Sequence, residues 1–255
     1  MPTPSVTAAA MTLTLVAASA GAVEPAQVSR TFSIIAIDPD TGTCGAAVAS
    51  KYPAVGKVVP AVKADVGAFV TQHYHVPKWR ERAIAELALG SPPEAILGKL
   101  LQDDPQRELR QLAVIDMAGR AAVHNPSAAG DGSRYWGAMT GRNYSVQGNT
   151  LTGREVIAET ARAFEETKGT LADRLIAALV AGDCAGGDHR GRLAAGIRVA
   201  KKGVDGVWLE LDVDNSDDAV IELAKKYAEL KHEAKGDTKP FAHPCRERKT
   251  PEPPK

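Results

Sequence analysis

The chain offers no net charge: 31 Lys and Arg are balanced by 31 Asp and Glu over 255 residues. Nucleic acids and anionic lipid surfaces need clustered positive charge, so both drop out as partners. No CxxC pair and no Cys/His spacing suits zinc. No internal repeat is visible. The acid-rich loops Asp38-Pro-Asp40-Thr-Gly42 and Asp212 to Asp218 both fall short of the twelve-residue calcium pattern. What remains is an ordinary globular composition, 44% hydrophobic and 24% charged. That supports one packed domain and excludes wholesale disorder, a coiled coil or a collagen-like fibre.

Both ends differ from the middle. Residues 1–22 lack Asp, Glu, Lys and Arg, and their apolar stretch ends in Ala18-Ser-Ala20 and Ala20-Gly-Ala22. This fits a secretory signal with a small-x-small cleavage site, and the run is too short for a spanning helix. Residues 23–30 form a short polar lead, 31–233 the domain, and 234–255 a charged, Pro-rich, disordered tail. A periplasmic or secreted location follows, with no membrane span in the mature chain. Cys44, Cys184 and Cys245 then permit one disulfide, and spacing does not say which pair forms.

Along the chain, apolar runs predict strands over 31–37 and 43–50, joined by the Asp38–Gly42 turn. Two more are expected over 55–62 and 66–72. The period then changes to that of a helix over 77–89. Ser91-Pro-Pro-Glu94 reads as a capping box opening a second helix to about residue 102. A hairpin over 112–124, a long loop over 125–143, and a short strand over 144–147 come next. Helices over 153–167 and 171–180, a strand pair over 193–200 and 207–213, and a last helix over 217–231 complete the chain. Strands come as antiparallel pairs rather than strand-helix-strand units, which disfavours a Rossmann sheet. Two antiparallel sheets face to face, with helices outside, fit the order.

Several residues stand out chemically. Thr31 opens the first strand, and a threonine hydroxyl becomes a nucleophile when a neighbouring base, such as its own free α-amine, takes its proton. Ser50-Lys51 closes the second strand, where either side chain can assist proton transfer. Gln147-Gly148-Asn149 offers amide donors for an oxyanion beside a glycine that permits close backbone approach. Gly186-Gly-Asp188-His189-Arg190-Gly-Arg192 gathers an acid, an imidazole and two guanidinium groups suited to holding substrate charge. His73 and His75, two apart on a strand, would share a face and suit a metal, but no nearby carboxylate completes a site.

Thr31-Phe-Ser-Ile-Ile-Ala, Cys44-Gly-Ala-Ala-Val-Ala-Ser50, Ala54-Val-Gly56, Glu108-Leu-Arg-Gln111, Val146-Gln-Gly-Asn149 and Gly186 to Arg192 together resemble the bacterial and archaeal DUF1028 family, over about residues 31–230. That family is grouped with the N-terminal nucleophile (Ntn) hydrolases. The resemblance implies an α+β, four-layer αββα sandwich of two antiparallel sheets. It also implies amide cleavage by an N-terminal Thr, Ser or Cys, with Thr31 matching by position. Signal cleavage after Ala22 leaves residues 23–30 ahead of Thr31, so a second cut at Arg30-Thr31 is required.

The expectation is therefore an exported Ntn-type hydrolase acting on an amide bond in a small-molecule or peptide-like substrate. Catalysis falls to Thr31, Ser50, Lys51 and Asn149, and substrate binding to Gln147, Asp188, His189 and Arg190. No cofactor and no metal are required, and a homodimer is left open. The alternative is a non-catalytic periplasmic binding module that keeps the fold.

Overall fold

The computed structural model describes residues 27–127 and 133–235, together with Met1, Phe241, Pro244 and Cys245. Apart from Met1, the expected signal segment, half of the expected polar lead (residues 23–26) and most of the tail lie outside the described residues.

Alternation in the strands builds two antiparallel sheets. One has six strands in the order β11 (Leu209–Val213), β10 (Ala194–Ala200), β3 (Thr43–Ser50), β2 (Thr31–Asp38), β9 (Tyr144–Leu151), β8 (Tyr135–Gly141). The other runs β1 (Gln27–Val28), β5 (Gly67–His75), β6 (Arg110–Asp116), β7 (Ala121–His124), with β4 (Pro60–Lys63) also on β5. Because side chains alternate across a strand, Phe32, Ile34 and Ala36 face one way and Ile35 and Ile37 the other. The first set packs against α4 (Glu155–Glu166), α5 (Leu171–Cys184) and α6 (Ala219–Lys235). The second meets Ala68, Val70, Ala113 and Ile115 of the five-stranded sheet. That sheet's far face, with Phe69, Leu112 and Val114, packs on α2 (Trp79–Ala88) and α3 (Pro93–Leu101). Each fully buried side chain such as Phe32 or Ile35 contributes about 1.5–3 kcal/mol. The result is a mixed helix and sheet protein with six α-helices among the described residues. None of these is long and apolar enough to cross a membrane.

Three sequence expectations need correction. Residues 55–58 form a short helix, α1 (Val55–Val58), not the start of a strand. This turn lets Gly56 lie on β10, where a Cβ would meet Gly196 Cα at 2.9 Å. The capping box at Ser91 does not form: Pro92 is the N-cap, and Ser91 Oγ donates to Glu86 Oε2 at 2.7 Å. The loop over 125–143 contains β8, an edge strand whose half-exposed residues carry no alternating apolar signal.

Cys184 and Cys245 are joined in a disulfide with a sequence separation of 61, tying the tail to the end of α5. Cys44 is buried and free, and burial pushes its thiol up to about 12, which leaves it inert. By loop-closure entropy the disulfide is expected to stabilise the fold by up to about 4 kcal/mol. A reductant should therefore lower the melting temperature. A Cys245→Ser variant should melt at that lower temperature with or without reductant.

Candidate active site

The layer between the sheets changes character along its length. At one end it is the apolar cluster of Ile35, Ile37, Val48 and Val70. At the other end the same strand faces carry Thr31, Ser33, Ser50, Gln72, Gln111, Gln147 and Asn149, all buried. Buried polar groups must pair with each other, and these do. Ser33 Oγ donates to Gln72 Oε1 at 2.6 Å, and Gln72 Nε2 to Gln111 Oε1 at 2.7 Å. Asn149 Nδ2 also donates to Gln111 Oε1, at 2.8 Å, and Gln147 Nε2 donates to Ser33 Oγ at 2.7 Å. A network this complete fixes its members' orientations.

Thr31 sits at the rim of this network. It pairs with Ser50 in the β2–β3 register. Its backbone N–H donates to Asn149 Oδ1 at 3.1 Å. Its hydroxyl donates to the Ser29 carbonyl. Ser50 Oγ lies 2.5 Å from the Ser29 carbonyl and 2.7 Å from the Arg30 carbonyl. The Arg30 carbonyl also accepts from Arg190 Nη2 at 2.9 Å. The peptide carbonyl immediately before Thr31 is thus held between a hydroxyl and a guanidinium.

The glycine-rich loop supplies that guanidinium. Asp188, with its side chain only 2% exposed, receives Arg190 Nε at 3.0 Å and Nη2 at 2.5 Å. The Lys51 backbone N–H reaches the same carboxylate at 3.4 Å. A two-pronged Arg–carboxylate pair fixes the fork far better than a single bond. Asp183, at the end of α5, accepts Arg192 Nε on both carboxylate oxygens, at 2.6 and 2.8 Å.

Of the residues singled out in sequence, Thr31, Ser50, Asn149, Asp188 and Arg190 converge here. The others are placed differently. The Gln147 amide is taken up by Ser33 and Ser145 inside the network. The Lys51 ammonium donates to the Arg192 carbonyl at 3.0 Å instead of reaching Thr31. The His189 backbone N–H bonds the Thr150 carbonyl at 2.9 Å. Asn149 holds the Thr31 nitrogen through Oδ1 and spends one of its two Nδ2 hydrogens on Gln111. Sequence reading gave no role to Gln72 and met Gln111 only within the Glu108–Gln111 motif. Their signal was parity: each lies two residues from an inward apolar partner, Val70 or Ala113.

The segment ahead of Thr31 is folded onto this site. Its two-residue strand β1 pairs with β5 in the register Gln27↔His75 and Val28↔Tyr74. The Ser29 N–H donates to the His73 carbonyl at 2.6 Å. Ser29 Oγ and Arg30 Nε are buried without a hydrogen-bond partner among the described residues. Each such group costs about 1–3 kcal/mol.

His73 itself is fully buried, with φ of 66°, in the left-handed region. That conformation breaks the alternation on which the shared His73 and His75 face depended. Among the described residues no three His, Cys, Asp or Glu side chains gather as metal ligands. Burial pushes the His73 imidazole down to about 4 from 6.5, opposed by a Leu109 backbone contact and reinforced by Arg30, Arg190 and Arg110. Between pH 6.5 and 4 the unfolded chain therefore binds a proton that the folded chain does not. Folding stability should fall by about 3 kcal/mol as pH drops through that window. His73→Asn keeps a residue that tolerates positive φ and should flatten that part of the pH–stability curve in urea titrations.

A model described as "Family of unknown function (DUF1028)" matches residues 31–223. No curated protein matches the chain. The crystal structure of a DUF1028 protein from Silicibacter pomeroyi superposes with a TM-score of 0.71 at 30% identity. The match covers 79% of this chain and 86% of that one.

Proposed function

This chain belongs to the DUF1028 family, and from that premise and the geometry around Thr31 we propose an exported Ntn-type hydrolase that cleaves an amide bond in a peptide-like or small substrate. The fold reading that goes with it is a four-layer αββα sandwich. Its support is the sequence of packed layers: α4 to α6, the six-stranded sheet, the five-stranded sheet, then α2 and α3. The Cys184–Cys245 disulfide supports export, since such bonds persist in oxidising compartments.

One observation carries the proposal: the carbonyl before Thr31 already rests between Ser50 Oγ and Arg190 Nη2. Those two donors suit an oxyanion. The Arg30–Thr31 bond is first hydrolysed, which frees the Thr31 amine. The Thr31 hydroxyl then attacks the substrate carbonyl, and its proton passes to that amine, which Asn149 Oδ1 orients. Ser50 and Arg190 stabilise the oxyanion, with Asp188 fixing Arg190. As the tetrahedral centre collapses, the substrate amine leaves with the proton, and water hydrolyses the remaining ester.

N-terminal mapping and intact mass of protein recovered from its own host provide the test. The expected chain begins at Thr31. A chain that begins upstream and still hydrolyses amides would end the nucleophile assignment. The second reading, a non-catalytic binding module, is favoured by the present state of Thr31: fully buried, peptide-bonded, its hydroxyl on Ser29. Unaltered ligand binding with no hydrolysis in either wild type or Thr31→Ala would support it.

A further inference from the structure

We infer that the edge of β5 at His73–His75 is a peptide-binding groove, and that the acyl half of the substrate is an extended peptide added there as an antiparallel strand. The catalytic part of this rests on the hydrolase reading above; the groove does not. β4 covers the same edge of β5 only from Gly67 to Val70. Beyond that point the edge is taken by β1, with Gln27↔His75 and Val28↔Tyr74, and by the Ser29 N–H on the His73 carbonyl. An edge strand pairs with any extended backbone, because the ladder uses main-chain groups alone. Residues 27–30 occupy the edge as such a peptide would, and they deliver a carbonyl to Ser50 and Arg190. They fit imperfectly, since Ser29 Oγ and Arg30 Nε are buried without hydrogen-bond partners among the described residues. A segment that fits imperfectly can be displaced. Hydrolysis of the Arg30–Thr31 bond would turn the intramolecular occupant into a dissociable one and open the edge to peptides in trans.

The test uses the full chain carrying Ser29→Pro, which removes the N–H that bonds His73 and so unseats the segment. A fluorescein-labelled Gln-Val-Ser-Arg tetrapeptide, followed by anisotropy, is expected to bind this variant at least about tenfold more tightly than the uncut wild type, where the tethered segment competes. Methylating the serine amide of the peptide should weaken binding about tenfold, since one ladder bond is lost and a methyl intrudes. Ser29→Gly/Arg30→Gly, which loosens the segment while keeping every backbone donor, is the second variant should the first not fold; it should bind the peptide more weakly but measurably. A folded variant that binds no peptide, or binds the methylated form equally, overturns the groove. Peptide binding without hydrolysis of Gln-Val-Ser-Arg p-nitroanilide by a chain beginning at Thr31 leaves the groove standing and removes the hydrolase reading.

Discussion

Thr31→Ala is expected to remove amide hydrolysis, by on the order of 10⁴-fold or more in kcat, as loss of a covalent nucleophile does elsewhere. The substrate for the measurement is Gln-Val-Ser-Arg p-nitroanilide, whose acyl part copies residues 27–30. Alanine removes only the hydroxyl and one methyl, so the N–H on Asn149 Oδ1 and the β2–β3 pairing survive. Peptide affinity should therefore change little while turnover vanishes. Thr31→Ser, which keeps hydroxyl and amine, should retain most of the rate. Activity in the wild type should rise with pH as the α-amine, with an ordinary value near 8, loses its proton. Acetylating that amine should abolish the rise and the activity together. A Thr31→Ala protein that turns over at the wild-type rate would place the chemistry elsewhere.

The largest expected loss of stability lies at Asp104. Its side chain is 8% exposed and that of Arg110 is 6%. Arg110 donates to Asp104 Oδ2 at 2.7 Å and Oδ1 at 3.1 Å, and to the Tyr74 carbonyl at 2.5 Å. Asp104→Ala leaves that guanidinium buried without its counter-charge, a change of about 3–5 kcal/mol. Arg110→Leu added to Asp104→Ala should recover part of the loss, because the unpaired charge is gone. Urea unfolding at pH 7 measures both. Burial opposes ionisation of Asp104, but the Arg110 hydrogen bonds overcome it and hold the carboxyl below its ordinary 3.8. The pair's contribution is therefore complete above that value and fades as pH falls below it. Arg110 also pairs with His73 across β5 and β6, so this variant should loosen the edge that holds β1.

Much of this was legible in the residues. The apolar runs at 31–37 and 43–50 have eight-residue strands behind them, and the 3.6-residue period over 77–89 a ten-residue helix. Local pattern sufficed there because both strands are buried on both faces and read as apolar runs, while the helix buries a single stripe. It failed where burial is incomplete, as in β8, and where packing chose the backbone, as in α1 against Gly196. The site was half legible. Thr31, Ser50, Asn149, Asp188 and Arg190 carried chemical signals of their own. Gln72 and Gln111 did not, since each sits in an apolar strand where one amide looks incidental.

By itself, the sequence determined which residues alternate, where helices begin, and that a hydroxyl, an amide and an acid–arginine loop were present. The fold alone decided that they meet. Thr31 and Asp188 are brought together across more than half the domain by β2 pairing with β3 and β9 and by the Leu151–Asp188 bridge. The fold also decided that residues 27–30 lie over Thr31, because an unpaired edge of β5 takes whatever extended backbone is nearest. No local pattern encodes an edge left open by a strand that stops early.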